Sequence, residues 1–280
     1  MKIFDLHNDL LTSEVPKIVR EVVKNNEKSG YKSIYALYKG ERTLSEVREI
    51  YEKTKGAGMC YAFEDASYSD MYEFERLCEE VEPLYASLCW NDENEFAGGC
   101  RSGGGLKPRG DELIKMLDKR HIALDLAHAN ERTFYEAEEK AERIMCSHTA
   151  FDFVKPHFRN IDEKQIKIIL ERKGIVGVCF VGYFLTDERG EEAKIKGESA
   201  FYEAIDWFLQ KFGDDGLCVG SDFCGSDFLV FDDYGSFVDK FERTMKRIGA
   251  GRETVEKILF RNALDFFGAF DCRSERRTYV

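Results

Sequence analysis

Short apolar runs alternate with amphipathic segments along the whole chain of 280 residues. This alternation is typical of parallel strands joined by helical crossovers, because a strand buried on both faces is apolar throughout whereas a crossover helix is apolar on one face only. Eight apolar runs qualify as strands, at residues 2–7, 33–38, 59–63, 84–89, 121–126, 144–147, 175–180 and 217–220. Eight strands, each followed by helical or loop material, predict an α/β fold of the (β/α)8 TIM-barrel type.

The segments between the apolar runs carry helix signals. Asn130 is a predicted N-cap, and Asp162 with Gln165 three residues later forms a capping-box pattern. The charged stretch at residues 186–198 is expected to be a surface excursion before the next helix. Because no fixed-period repeat and no Gly/Ser-rich linker divides the sequence, we expect one domain over residues 1–280.

Charge and hydropathy limit the partners of the chain. Its 41 basic and 53 acidic side chains give a net charge of −12, which repels nucleic acid and anionic membrane surfaces. No run of about 18 apolar residues predicts a membrane-spanning helix. The N-terminus shows no apolar signal-peptide region, so we expect a cytoplasmic protein.

Chemically reactive side chains collect where the predicted strands end, which is where barrel enzymes place their catalytic groups. His7 and Asp9 lie two residues apart and face the same side of an extended chain. The other strand ends carry Glu64 with Asp65, Asp125 to His128, Ser147-His148 and Ser221-Asp222. Imidazole and carboxylate ligands suit Zn²⁺, Mn²⁺, Fe²⁺ or Co²⁺ in an open catalytic site. The candidate ligands are more numerous than one ion that also holds a water molecule can use. We therefore expect two ions sharing a carboxylate, as in many amide and ester hydrolases.

The order and spacing of these motifs resemble the membrane (renal) dipeptidases and their bacterial relatives, which are binuclear zinc hydrolases with an amidohydrolase-like barrel. The matching motifs are Asp5-Leu6-His7-Asn8-Asp9, Glu64, Leu88-Cys89-Trp90-Asn91, Glu93-Asn94-Glu95, Gly105-Leu106, Asp125-Leu126-Ala127-His128, Ser147-His148, Arg159-Asn160-Ile161 and Gly220-Ser221-Asp222-Phe223.

The resemblance implies two Zn²⁺ ions per chain, or other divalent transition metals in their place. It assigns one ion to His7 and Asp9, the second ion to His128 and His148, and the bridging position to Glu64. Asn8 and Asp125 are candidates for orienting the ligands, or for capping turns.

The resemblance also implies a dipeptidase that cleaves the peptide bond through a hydroxide bridging the metals. Asp222 would transfer the proton from the attacking water to the leaving amine, or would only position a ligand. Arg159 would bind the free α-carboxylate of the dipeptide, unless it forms a surface ion pair. The family tolerates a D-residue at the C-terminal position, so L,L and L,D dipeptides are the expected substrates. Family members often form homodimers.

Several positions depart from the animal members of the family. Trp90 and Asn91, which we expect to contact the substrate, stand where those enzymes have a substrate-contacting histidine, and Cys224 replaces an acid. The Gly and Arg of a C-terminal motif are replaced within residues 261–265, and the interval from His7 to Glu64 is short. The short interval predicts a more open pocket, because loops at the barrel mouth carry specificity. Two alternatives therefore stay open: a binuclear hydrolase of other small amides, such as N-acyl amino acids or lactams, and a metal-storing or partner-binding barrel without turnover.

Overall fold

Eight strands follow one another in the sheet in the same order as in the chain, and every neighbouring pair is parallel. The structure is a computed structural model that describes residues 1–13, 15–56 and 58–268. The strands are β1 (Ile3–Asn8), β2 (Tyr31–Tyr38), β3 (Cys60–Glu64), β4 (Tyr85–Ser87), β5 (Ala123–Asp125), β6 (Ile144–Thr149), β7 (Val176–Val178) and β8 (Leu217–Val219). This arrangement, with helices between the strands, confirms the predicted (β/α)8 barrel.

Helices connect the strands and cover the sheet. They are α1 (Leu10–Ser13), α2 (Pro16–Lys28), α3 (Leu44–Thr54), α4 (Met71–Val81), α5 (Pro108–Lys119), α6 (Glu131–Glu138), α7 (Glu163–Glu171), α8 (Gly190–Phe212), α9 (Tyr234–Arg247), α10 (Arg252–Glu256) and α11 (Asn262–Phe267), with a 3₁₀ turn at Gly182–Phe184 and a π-helical segment at Lys257–Arg261. The predicted caps are present: the side chain of Asn130 accepts from the backbone N–H of Thr133, and Asp162 and Gln165 form both bonds of a capping box. No helix among the described residues is long and apolar enough to cross a membrane.

The barrel closes where the chain leaves β8 and meets β1. The backbone N–H of Asp222 donates to the carbonyl of His7 (3.1 Å), and that of Asp9 donates to the carbonyl of Phe223 (2.8 Å). The buried carboxylate of Asp5 accepts from both the backbone N–H and the hydroxyl of Ser221, each at 2.6 Å. These bonds hold His7, Asp9 and Asp222 beside one another at the closing seam.

Helix α8 begins earlier than the sequence predicted. The expectation of a surface excursion over residues 186–198 is wrong from Gly190 onward, where the chain is helical. Ala193, Gly197 and Phe201 are buried and recur every four residues, which places them on one face of the helix. Ala193 and Gly197 contribute so little hydropathy that the charged residues around them dominate this part of the sequence. The buried face of the helix is therefore not visible as an apolar pattern.

A close backbone approach fixes the position of β6. A Cβ atom at Gly220 would lie 1.8 Å from the carbonyl oxygen of Ser147, so any other residue would push the two segments apart. His148 follows Ser147 directly, and glycine at this position therefore sets how near His148 comes to the closing seam.

Candidate metal centre

Carboxylate and imidazole groups from distant strands meet at the carboxyl ends of the barrel strands. Oε1 of Glu64, at the end of β3, lies 3.0 Å from Nε2 of His128, and Oε2 of the same carboxylate lies 3.7 Å from Nε2 of His7. Nε2 of His148 lies 2.9 Å from Nε2 of His128, and the rings of His148 and His7 stack at 3.8 Å. All four side chains are buried. The structure thus brings together the residues that the sequence motifs singled out at or just beyond the ends of four different strands.

Two further carboxylates complete the cluster beside His7. Oδ2 of Asp9 lies 3.1 Å and Oδ1 of Asp222 lies 3.9 Å from Nε2 of His7. Among the described residues, the ligand atoms of two overlapping groups lie within 4.8 Å of one another: His7 with Glu64 and His148, and His7 with Asp9 and Asp222. This spacing suits transition-metal ions held by imidazole and carboxylate ligands.

The hydrogen bonds behind His128 and His148 fix which nitrogen of each ring faces the cluster. The Nδ1–H of His128 donates to Oδ1 of Asn91 (2.9 Å). The hydroxyl of Ser147 donates to Asp125 (2.5 Å) and accepts from the Nδ1–H of His148 (2.8 Å). Both Nε2 atoms therefore present lone pairs to each other at 2.9 Å, a contact that repels unless a cation lies between or beside them.

His7 has the same orientation. The hydroxyl of Tyr85 donates to the carbonyl of Leu6 (2.9 Å) and accepts from the Nδ1–H of His7 (2.8 Å). This leaves Nε2 of His7 directed at the carboxylates. Metal-binding histidines are held in this way, with the outer ring nitrogen bonded to a carbonyl, carboxylate or other polar group. The three rings thus fit divalent metal ions by their donor chemistry.

The electrostatics of the cluster also call for cations. Burial lowers the pKa of His7, but the carboxylates around it, led by Asp9 and Glu64, outweigh burial and raise the pKa to about 10. The pKa of Glu64 is raised well above its usual value, first by burial and then by the charge of Asp9. Burial and Asp9 raise the pKa of Asp222 in the same way. Protons or metal ions must therefore compensate the crowded negative charge.

The backbone is strained at two of the residues in the cluster. His128 has φ 68° and Asp222 has φ 59°, so both lie in the left-handed region without being glycine. Such strain persists where surrounding contacts impose it, and it is concentrated at functional sites. For Asp222, the bond from its N–H to His7 in the closing seam is one such contact.

A cavity of about 580 Å³ opens over the cluster, a size typical of small-ligand sites. Arg159 lines it and is only 4% exposed, with Nη2 donating to the carbonyl of His148 (3.1 Å). Its Nε has no partner in the structure, although it is buried. An unpaired guanidinium N–H at this depth is ready to bind an anionic group of a ligand.

Trp90 and Asn91, both expected to contact substrate, occupy different positions. Trp90 lines the cavity, with its ring 5.9 Å from that of His128. Asn91 also reaches the cavity wall, but its side-chain oxygen is engaged by His128 and by the thiol of Cys100 (3.2 Å). Its contacts indicate that it orients His128.

The two residues that could either orient ligands or cap turns differ in their contacts. Asp125 reaches His148 through the hydroxyl of Ser147, and this chain of hydrogen bonds fixes the ring of His148. Asn8 accepts from the backbone N–H of Leu10 (2.9 Å), the pattern of a turn cap. Asp65, the other acid beside Glu64, accepts from Asn94 and the backbone of Ser67, away from the histidines.

Sequence reasoning missed several cavity and support residues. Tyr85 lies within an apolar strand and offers no sequence signal for its bond to His7. His157 follows β6 in a loop; its Nδ1 accepts from the backbone N–H of Arg159 (3.2 Å), which leaves Nε2–H as a donor. His157 and Arg101 both line the cavity. The motif around Arg159 could have drawn attention to His157, which lies two residues before it.

Comparisons with known proteins agree with this arrangement. The family model described as "Membrane dipeptidase (Peptidase family M19)" matches residues 61–277. An uncharacterised protein of the pqqA 5′ region of Klebsiella pneumoniae is 27% identical over 186 residues, covering 62% of this chain and 68% of that protein. Dipeptidase tcpJ of Claviceps purpurea is 25% identical over 199 residues, covering 68% of this chain and 45% of its own length.

Solved structures show the same fold. A crystal structure described as dipeptidase AC, a metallopeptidase of family M19, superposes with a TM-score of 0.74 at 19% identity, covering 95% of this chain and 98% of its own. A metallopeptidase from Rhodobacter sphaeroides, liganded with a phosphinate mimic of L-Ala-D-Ala, gives a TM-score of 0.74 at 18% identity with the same coverage. Together with the match of the family model, these findings show that the chain belongs to the membrane dipeptidase family, as its motifs predicted.

Proposed function

We propose that this chain is a zinc-dependent dipeptidase that cleaves L,L and L,D dipeptides at a site for two metal ions. The observation that carries the proposal is the convergence of three imidazole Nε2 atoms and three carboxylates beneath a cavity lined by the buried, incompletely paired Arg159. Catalysis needs metal ligands and an anion-binding group within reach of one small substrate, and this cavity offers both.

The ligand sets follow from the two ends of Glu64. Its Oε2 faces His7, which with Asp9 would hold one ion, and its Oε1 faces His128, which with His148 would hold the other. Glu64 would bridge the ions. When bound, two such ions supply a water molecule of lowered pKa and polarise the scissile carbonyl.

Asp222 would act as the proton carrier of the reaction. Its carboxylate is buried in the cavity wall, and burial with the neighbouring charge of Asp9 raises its pKa, which favours accepting a proton. It would take a proton from the attacking water at a carboxylate oxygen and release it to the amine that leaves. Proton transfer of this kind contributes about 10²–10⁴-fold to rate.

Arg159 would orient the substrate by its C-terminal carboxylate. A guanidinium group binds a carboxylate with directional, charge-assisted bonds, and the free Nε–H of Arg159 is available for one of them. Because Arg159 would contact the α-carboxylate and not the side chain, it would not distinguish an L from a D residue at the C-terminal position. This supports L,D as well as L,L substrates.

The test is hydrolysis of L-Ala-L-Ala and L-Ala-D-Ala by zinc-loaded enzyme and by the Asp222→Asn variant. We expect kcat of Asp222→Asn to fall by about 10²–10⁴-fold. Asp232→Asn is the matched control, because Asp232 is 75% exposed and pairs with Lys194 at the surface, so it should retain full activity.

Three outcomes would contradict the proposal. Equal rates for the wild type and Asp222→Asn would remove the assigned proton carrier. If the enzyme hydrolyses N-acetyl amino acids or a β-lactam but no dipeptide, its substrates are other small amides. Bound metal without hydrolysis of any of these amides would support a barrel that only holds metal.

A further inference from the structure

Arg101 places a second guanidinium group at the cavity, on the loop between β4 and α5. Its charged end lies 5.7 Å from the ring centroid of Phe158, the residue directly before Arg159. Phe158 also lines the cavity and is 53% exposed. Arg101 and Arg159 therefore belong to the same wall, and an exposed aromatic ring supports the outer of the two charges.

The loop that carries Arg101 is held firmly. The backbone N–H of Arg101 donates to the carbonyl of Asn91 (2.8 Å). The side chain of Asn130 donates to the carbonyls of Ser102 (2.8 Å) and Gly104 (2.7 Å). A Cβ atom at Gly99 would lie 2.1 Å from the carbonyl oxygen of Trp90, so the loop packs directly on the segment that orients His128. Arg101 is thus presented from a fixed backbone, which lowers the entropy lost on binding.

The cations of the cavity differ in how far their charge is compensated. The ammonium group of Lys155 is bound by the carboxylate of Asp187 (2.7 Å) and by two backbone carbonyls (2.8 Å each). By contrast, within the described part of the chain no carboxylate lies within 4.0 Å of the guanidinium of Arg101, whereas the nearby Lys107 and Lys155 each have such a partner. The carboxylates that line the cavity are otherwise those of the metal cluster, so the wall of Arg101 carries uncompensated positive charge.

We propose that Arg101 makes this enzyme selective for dipeptides whose C-terminal residue is aspartate or glutamate. The proposal rests on the dipeptidase function above, in which Arg159 binds the α-carboxylate. A C-terminal acidic residue carries a second carboxylate only a few bonds from the first, so it reaches along the same wall toward Arg101. Two guanidinium groups then neutralise two carboxylates, whereas a neutral side chain leaves Arg101 unpaired.

The test compares kcat/KM for L-Ala-L-Glu with that for L-Ala-L-Gln, which has the same shape without the charge, and for L-Ala-L-Ala. We expect the wild type to prefer the glutamate substrate by about tenfold, mainly through a lower KM, since Arg101 does not touch the reacting atoms. Arg101→Gln should reduce the preference to within about twofold, while Arg101→Lys should retain part of it. Arg247→Gln removes the same charge at the far end of α9 and should keep the full preference.

The results separate this inference from the proposed function. Hydrolysis of L-Ala-L-Ala without a preference for glutamate over glutamine overturns the role of Arg101 and leaves the dipeptidase proposal intact. A preference for L-Glu-L-Ala over L-Ala-L-Glu overturns the assignment to the C-terminal residue. Failure of the metal-loaded enzyme on every dipeptide overturns both. A preference that weakens as ionic strength rises, in the wild type and not in Arg101→Gln, supports the charge interaction.

Discussion

Asn91→Ala distinguishes an orienting role for Asn91 from the substrate-binding role expected from the sequence. The side-chain oxygen of Asn91 accepts from the Nδ1–H of His128 at 2.9 Å, and Asn91 is only 6% exposed. Alanine removes this acceptor. The ring of His128 then loses the bond that keeps its Nε2 lone pair directed at the proposed metal position.

The magnitude follows from the cost of a buried donor without an acceptor, which is about 1–3 kcal/mol. About 1.4 kcal/mol corresponds to a tenfold change in an equilibrium constant. Loss of the bond should therefore weaken metal binding by about 10–100-fold, which is the range found when the outer hydrogen bond of a metal-binding histidine is removed. The site that includes His128 should lose its ion first.

The assay is competition with a fluorescent zinc chelator, combined with metal analysis after dialysis. Asn91→Asp is the matched control: it keeps an oxygen acceptor at the same place, so its zinc affinity should stay within a few-fold of the wild type. If Asn91→Ala binds zinc as tightly as the wild type and only raises KM for dipeptides, the orienting role is refuted and the substrate-binding role stands.

Two other predictions concern the protons and the packing of the site. Zinc binding to metal-free protein at pH 7.5 should release protons, because the pKa of His7 is raised to about 10 and the ring is protonated until the metal replaces its proton. Calorimetry in buffers of different ionisation enthalpy measures this release. A binding enthalpy that does not depend on the buffer would contradict the prediction. Gly220→Ala should lower the free energy of unfolding by about 1–3 kcal/mol, since its Cβ would lie 1.8 Å from the carbonyl oxygen of Ser147. Denaturant unfolding tests this prediction. An unchanged midpoint of unfolding would show that β6 and the end of β8 can move apart without loss of stability.

Much of the barrel was predictable because its signals are local. The apolar runs, the N-cap at Asn130 and the capping box at Asp162 depend on neighbouring residues, and all are present in the structure. The start of α8 was not predictable in this way: its buried stripe begins with Ala193 and Gly197, whose weak hydropathy is masked by charged neighbours.

In the candidate site too, residues with a local sequence signal were predictable and residues that depend on long-range contacts were not. Residues at strand ends could be proposed from the sequence because parallel strands bring their carboxyl ends to one rim. The partners of these residues could not, since the bond from Tyr85 to His7 spans 78 residues and the bond from Asn91 to His128 spans 37. Arg101 owes its place to loop packing, for which hydrophobic periodicity gives no signal.

The most direct test of the account is the anomalous diffraction of zinc-loaded crystals with a phosphinate dipeptide mimic. We predict two zinc peaks on either side of Glu64, one bound by His7 and Asp9 and the other by His128 and His148. A single peak, or zinc bound away from Glu64 with the histidines unligated, would contradict it.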